Sequence, residues 1–195
     1  NNTPFSLKDN AGHNVRSIVC SATTTAAVKG DGTVWVWDDI RGGLPGDGTA
    51  GTPTNHPVQV PFSLPTGVTI TKLAFISVAN GNDTLVALAS NGTVWTWGGG
   101  AASENLGTQS TDYSHPHQIT TTGTNAAMPT VTDIAGGGNF GLALASNGTL
   151  YAWGIYMGYA QYCVGNAWCP QARPVSMSAV TSTATAAGAT IRNIY

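Results

Sequence analysis

Three cysteines, four histidines and nine acidic residues make up most of the chain's reactive side chains. Cys163 and Cys169 bracket a short stretch, Val164 to Trp168, and that spacing allows a loop-closing disulfide. Cys20 then stays unpaired as a small buried hydrophobe in a strand, or pairs with one of the other two. A local bridge implies an oxidising compartment. His115-Pro116-His117 offers two imidazoles, too few for a metal without a nearby Cys, Asp or Glu set, so a loop role and no metal are expected. Asp38, Asp39 and Asp47 fall in a Gly-rich stretch that lacks the strict spacing of a calcium loop. Gly136 to Gly141 fits G-x-G-x-x-G, but a dinucleotide site needs a helix next. Leu142-Ala143-Leu144-Ala145 followed by Asn-Gly reads instead as strand and hairpin, so no cofactor is expected. The acids form no evident catalytic pair and there is no Gly-x-Ser-x-Gly elbow, so the chain is expected not to be an enzyme.

The strongest binding signal is the segment Tyr156 to Trp168. It carries Tyr156, Met157, Tyr159, Tyr162 and Trp168 with no charge. Tyr and Trp supply rigid amphipathic contact area at low entropic cost, so a stapled aromatic loop is the candidate ligand surface. The alternative is that these rings fill a gap between neighbouring elements. Two further long loops, Asp38 to His56 and Gly99 to His115, are polar and Gly-rich.

These segments are positioned by a repeat. Residues 18–37, 78–97 and 134–153 align without gaps: a small or Gly-rich start, an alternating apolar run, a Gly-Thr, then two aromatics two residues apart. The aromatic pairs are Trp35 with Trp37, Trp95 with Trp97, and Tyr151 with Trp153; each pair lies on one face of a strand. Before each pair stands a hairpin turn: Asp31-Gly32, Asn91-Gly92 and Asn147-Gly148, all read as type I′ signals. Asn91 and Asn147 also open glycosylation sequons, but the turn reading covers these and Asp31 alike. Leu85 to Ser90 is apolar on both faces, as in a doubly buried strand. Short alternating strands begin at 15, 70, 131 and 191, and segments led by Pro57, Pro116 and Pro174 read as closing strands. Helix signals are nearly absent. The expectation is an all-β chain of β-propeller-type blades, about three and a half repeats in one repeat domain over 1–195. The repeats span approximately 15–69, 70–130 and 131–190, with the start of a fourth at 191–195.

Composition bounds the rest. Of 195 residues 42% are apolar, which excludes a disordered chain. Only 8% are charged, against about 25% in an average soluble domain, and the net charge is −2. There is no basic excess for nucleic acid. No apolar run is long enough to cross a membrane as a helix, so no membrane insertion is expected. No signal segment opens the chain, so any export signal is expected to have been removed or never included.

The repeat resembles that of the regulator-of-chromosome-condensation family. The third copy carries the resemblance best, through Val131, Ile134, Ala135, Gly137, Leu142, Ala143, Leu144, Gly148, Leu150, Tyr151, Trp153 and Gly154. The family's usual His is replaced by Thr24, Thr84 and Phe140, and the first copy ends Trp37-Asp38 where the family has Trp-Gly. The resemblance implies a blade of a propeller, usually seven-bladed, in a divergent bacterial-like member. The nuclear prototype of the family acts on a small GTPase and binds chromatin; secreted relatives include a β-lactamase-inhibiting propeller. The expected function is a non-enzymatic binding module of an exported bacterial surface or pilus-associated protein, an adhesin recognising a protein or cell-surface glycan through rim loops. A secreted inhibitor or scaffold is the alternative, and a glycan-active enzyme a minority view. Copies of the chain are further expected to be able to associate and complete the propeller.

Overall fold

In a computed structural model, residues 14–77, 83–100, 103–108, 110–123, 126–155 and 168–174 are described, with only the backbone of 155 and 168–174. They form three four-stranded antiparallel sheets. The first holds β1 (Val15–Cys20), β2 (Thr24–Lys29), β3 (Val34–Asp38) and β4 (Thr54–Val60). The second holds β5 (Ile70–Ile76), β6 (Thr84–Ala89), β7 (Val94–Gly98) and β8 (His117–Gln118). The third holds β9 (Val131–Gly136), β10 (Phe140–Ala145), β11 (Leu150–Ile155) and β12 (Trp168–Pro174). In each sheet the strands pair in sequence order, as in an up-and-down meander. One short 3-10 turn, η1 (Ser103–Leu106), interrupts the loop between β7 and β8.

The sheets stack face to face as blades, with the first strand of each innermost. The apolar alternation dictates this, because the middle sheet buries both of its faces, one against each neighbour. Between the first two blades, Ala26, Val28, Val34, Val36 and Val60 meet Ile70, Leu73, Phe75, Leu85, Ala87 and Trp97. Between the second and third, Ala74, Ile76, Val86, Leu88 and Val94 meet Val131, Ile134, Ala143 and Trp153. β6 contributes to both layers and is buried along its whole length, as its two-faced apolar run requires. At about 1.5–3 kcal/mol for each fully buried large aliphatic or aromatic side chain, these two layers are the main source of cohesion. On the inner strands an ion pair joins Lys72 to Asp133 across the second interface.

The copies match in their irregularities as well as in their strands. Pairing of each first strand to the second slips at one place, skipping Arg16, Thr71 and Thr132. At the latter two the bulged threonine hydroxyl donates to the neighbouring strand, to Leu88 O and Leu144 O, both at 3.1 Å.

Two local expectations come out differently. The hairpin turns are not type I′, since only the glycine has positive φ: 82° at Gly32, 80° at Gly92 and 81° at Gly148. Gly32 N–H donates to Lys29 O, Gly92 N–H to Ala89 O and Gly148 N–H to Ala145 O, each at 2.9 Å, which makes a type I turn followed by a left-handed glycine. The asparagine or aspartate keeps negative φ because its side chain accepts the N–H two residues on, at Thr33, Thr93 and Thr149. In the third blade the closing strand is 168–174, so Pro174 ends it, where the sequence reading had it open a strand through 177; residues 175–177 lie outside the described residues, as does the expected fourth-repeat start at 191–195.

Candidate functional site

Strands β3, β7 and β11 each run from a tight turn at one rim of the stack to a long connection at the other. That second rim carries the loops expected to bind. Its geometry starts with the aromatic pairs, whose two members do different work. The first member stiffens the turn. Asn91 Oδ1 accepts the Thr93 hydroxyl (2.8 Å), and that hydroxyl accepts the Trp95 indole N–H (3.1 Å). Asp31, Thr33 and Trp35 repeat the relay at 2.7 and 3.0 Å. Lys29 also places its ammonium 5.5 Å from the Trp35 ring centroid. Tyr151 has no indole N–H, so in the third blade only the Asn147 to Thr149 N–H contact remains, at 3.0 Å.

The second member locks one blade to the next. Trp97 is fully buried, and its indole N–H donates to Leu44 O in the loop after β3, at 2.9 Å. Trp153 is equally buried and donates to Asn105 O in the loop after β7, at 3.0 Å. Each long loop thus crosses over its neighbour. Phe62, in the link between blades, stands edge-on to Trp95 and Trp97 with ring centroids 6.1 and 5.2 Å away. Trp37, in the first blade, is half-buried. The crossing also explains the glycine after the pair. Gly98 has φ 87°, and a methyl there would lie 2.6 Å from Asp83 O and 2.7 Å from Leu44 Cδ2. Asp38 holds the same place in the first blade with φ 74°, and its carboxylate accepts the Thr25 hydroxyl at 2.7 Å.

The loops after β3 and β7 are joined into one surface by backbone hydrogen bonds. Gly48 N–H donates to Ser114 O and Gly100 N–H to Gly42 O, both at 3.0 Å, while Gly98 N–H donates to Tyr113 O (2.8 Å) within the loop after β7. The packing is close: a methyl on Gly43 would lie 2.7 Å from Tyr113, and one on Gly48 2.9 Å from His115 Nε2.

This surface carries a set of ionised carboxylates. Arg41 donates twice to Asp39, at 2.7 and 2.6 Å, and this holds the Asp39 pKa below its ordinary value. The Thr49 hydroxyl and N–H lower that of Asp47. At Asp112 burial acts to raise the pKa, but the Ser114 hydroxyl, His115 and the Ser114 N–H outweigh it, leaving the carboxylate well below its usual range. His115 Nδ1 lies 2.8 Å from Asp112 Oδ2, and His117 Nε2 lies 3.3 Å from the same oxygen. Both histidines of the His-Pro-His segment thus turn to one carboxylate. Ser110 Oγ is also 3.3 Å from His117 Nε2. Serine and aspartate approach the same ring nitrogen, so the imidazole cannot pass a proton from one to the other as a Ser-His-Asp relay does. No three His, Cys, Asp or Glu side chains among the described residues stand close enough to hold a metal. The Gly136–Gly141 stretch is the β9–β10 hairpin, with Asn139 at φ 71°, and a strand follows it where a dinucleotide site has a helix.

Tyr156, Met157, Tyr159, Tyr162 and Cys163 lie outside the described residues. Trp168 and Cys169 belong to the backbone of β12, paired with Ile155 and Gly154, so they stand beyond the loop and not within it. Cys20 is free and exposed, where the sequence reading placed a buried side chain; β1 borders no preceding described blade. Sequence reasoning missed the Asp112–His115 contact and the Leu44 and Asn105 carbonyls that receive the tryptophans. The Asp-x-Ser-His run was a signal for the first; backbone acceptors leave none.

Comparison with known proteins agrees with this geometry. Two family models, both described as the regulator of chromosome condensation (RCC1) repeat, match residues 91–144 and 131–161. The chain is 26% identical over 156 residues to protein pim1 of Schizosaccharomyces pombe, covering 78% of this chain and 26% of that protein. It is 27% identical over 144 residues to the human E3 ubiquitin-protein ligase HERC2, covering 74% of this chain and 3% of the ligase. The chain therefore spans about a quarter or less of the length of these relatives, and the HERC2 likeness is confined to a small part of it. Yeast RCC1 (Prp20), solved bound to Kap60, superposes with a TM-score of 0.64 at 20% identity over 86% of this chain and 36% of its own. Human WBSCR16 gives 0.58 at 19% identity over 75% of this chain and 34% of its own. These structural likenesses establish the propeller-blade fold. The repeat models match within residues 91–161 and the same blade architecture recurs in all three sheets, so in its repeat and its fold the chain is similar to the regulator of chromosome condensation (RCC1) repeat family.

Proposed function

We propose that this chain is a non-catalytic protein-recognition module whose contact surface is the rim built by the loops after β3 and β7. The observation that carries this reading is the union of those loops through the amides of Gly48 and Gly100. A rim joined in this way is ordered before a partner arrives, so little loop entropy is lost on binding. Asp47, Asp112 and His115 stand on it as hydrogen-bonding and charged groups, with His115 53% exposed. Yeast RCC1 in complex with Kap60 is a relative of the same fold engaged with another protein.

A photo-reactive amino acid introduced at Asp47 or His115 should capture the partner from cells, while the same group at Asn147, on the opposite rim, should not. Capture from Asn147 alone would refute the assignment.

An exported surface setting, as an adhesin or as an inhibitor-type scaffold, is the finer form of this proposal. It is supported by the scarcity of charge and by the Cys163–Cys169 spacing. Glycan recognition is its sharpest rival, because the aromatic segment carries Tyr159 and Trp168. A glycan array that lights up with wild type and goes dark with the Tyr159→Ala, Trp168→Ala double variant would favour the glycan reading. Thiol titration finding three reactive cysteines in the purified chain would remove the exported setting.

A further inference from the structure

The loop after β3 encloses a cavity of about 550 Å³ against the start of β4. Its floor is apolar, from Ile40, Pro45 and Val58, and its mouth carries the exposed Asp47, Thr49 and Thr52. Ile40 is buried and Val58 half-buried, and both pack into the layer shared with the second blade. The floor thus rests on an interface whose two blades are both in place. Asp47-Gly48-Thr49 is the same triplet as Asp31-Gly32-Thr33 and the amide form of it, Asn91-Gly92-Thr93. Asp47 Oδ1 accepts the Thr49 N–H at 3.0 Å and its hydroxyl at 2.6 Å, as Asn91 Oδ1 accepts those of Thr93 at 3.1 and 2.8 Å. An amide oxygen suffices for this contact, so local structure does not call for the charge of Asp47. Its second oxygen, Oδ2, takes no hydrogen bond from a described residue. The Thr49 contacts keep the carboxylate ionised. The neighbouring cations are otherwise engaged: Arg41 is paired with Asp39, and His115 turns Nδ1 to Asp112. A carboxylate oxygen with no local partner therefore stands at the mouth of an apolar hollow.

We propose that this cavity receives a lysine side chain of the partner protein, an inference that rests on reading the rim as a protein-recognition surface. The methylene stem lies on Ile40, Pro45 and Val58, and the ammonium meets Asp47 Oδ2, with the Thr49 and Thr52 hydroxyl oxygens lining the same mouth as further acceptors. Lysine fits better than arginine. A guanidinium fork is matched to both oxygens of a carboxylate, and Oδ1 already takes two hydrogen bonds from Thr49, whereas an ammonium needs a single acceptor at each of its donors. A neutral ligand would leave the charge at the mouth unanswered.

NMR titration of the full chain with Nα-acetyl-lysine methylamide tests the cavity without the partner. Saturable shifts are expected at the Ile40 and Val58 methyls and at the Asp47 and Thr49 amides. The arginine counterpart should bind more weakly, and the Nε-acetylated lysine probe should give no shift there. Asp47→Asn keeps the turn acceptor, as Asn91 does, and should weaken the lysine probe about fivefold. Asp31→Asn removes the same charge at the opposite rim and should change nothing. No shift at these residues with the lysine probe, equal shifts with its Nε-acetylated form, or undiminished binding to Asp47→Asn would each overturn the inference. Should Asp47→Asn fail to fold, the comparison of probes on wild type decides it. Photo-capture of a partner from Asp47 or His115 alongside a lysine probe that fails would remove the lysine pocket and keep the rim. A lysine probe that binds while capture comes from Asn147 alone would keep the pocket as an amine site and remove the rim.

Discussion

Gly92 and Gly148 occupy the same turn position with nearly the same φ, yet their surroundings differ. A methyl on Gly92 would lie 2.4 Å from Thr130 Cγ2 and 3.0 Å from Val131 O, whereas one on Gly148 would meet nothing within 4 Å. Gly148→Ala should therefore cost only the left-handed strain, about 1 kcal/mol, and Gly92→Ala distinctly more. Equal losses in denaturant titrations would show that the turn of one blade does not press on the next. At Asp38 the strain is already present and the carboxylate contact to Thr25 offsets it. Asp38→Ala should lose about 1 kcal/mol, and Asp38→Gly should be close to neutral, by the same measurement. Asp112 gives a pH signature. Its folded-state pKa is lowered, so its contribution is present above the ordinary carboxylate range and is lost as pH falls toward the folded-state value. Asp112→Asn should lower the melting temperature at neutral pH, and its deficit against wild type should shrink through the acid range. The effect should be small, because the group is 41% exposed.

At the scale of elements, the aromatic pairs separate into two roles that substitution can distinguish. Trp97→Phe removes the donor to Leu44 O, strands a buried carbonyl and leaves a gap, and should cost about 2–4 kcal/mol. Trp95→Phe loses a bond at a half-exposed turn and should cost less than about 1.5 kcal/mol. A reversed order in urea melts would remove Trp97 from its place as the inter-blade lock. The strands and their faces were legible in advance because period-two alternation and paired aromatics are local signals: Leu85 to Ala89 reads as doubly buried from its letters alone. The turn type was not legible, since Asn-Gly suits both a type I′ turn and a type I turn with a left-handed glycine. The choice falls to the threonine two residues on. The joining of loops at the rim was hidden for a different reason. It rests on glycine amides and backbone carbonyls, which every residue possesses, so only the position of the neighbouring blade reveals the pairing. The exposure of Cys20 likewise depends on what borders β1, which no feature of that strand's own sequence records.

For the whole molecule, the blades form a nearly one-dimensional stack in which each contacts its neighbours, so stability should be graded along it. The central strand β6, buried in both layers, is expected to be the last to exchange its amides, and β1, half open to solvent, among the first of the strand segments. The rim depends on the same stacking. If the loops after β3 and β7 are one surface, the amides of Gly48 and Gly100 are held by the neighbouring blade's loop and not by local turns. Residue-resolved hydrogen exchange on these two amides is the most direct test. Protection well above that of the exposed loop amides, weakened together by Trp97→Phe, is the expected result. Exchange at the rate of unstructured peptide would mean that the loops move independently, and there would be no preformed surface for a partner to recognise.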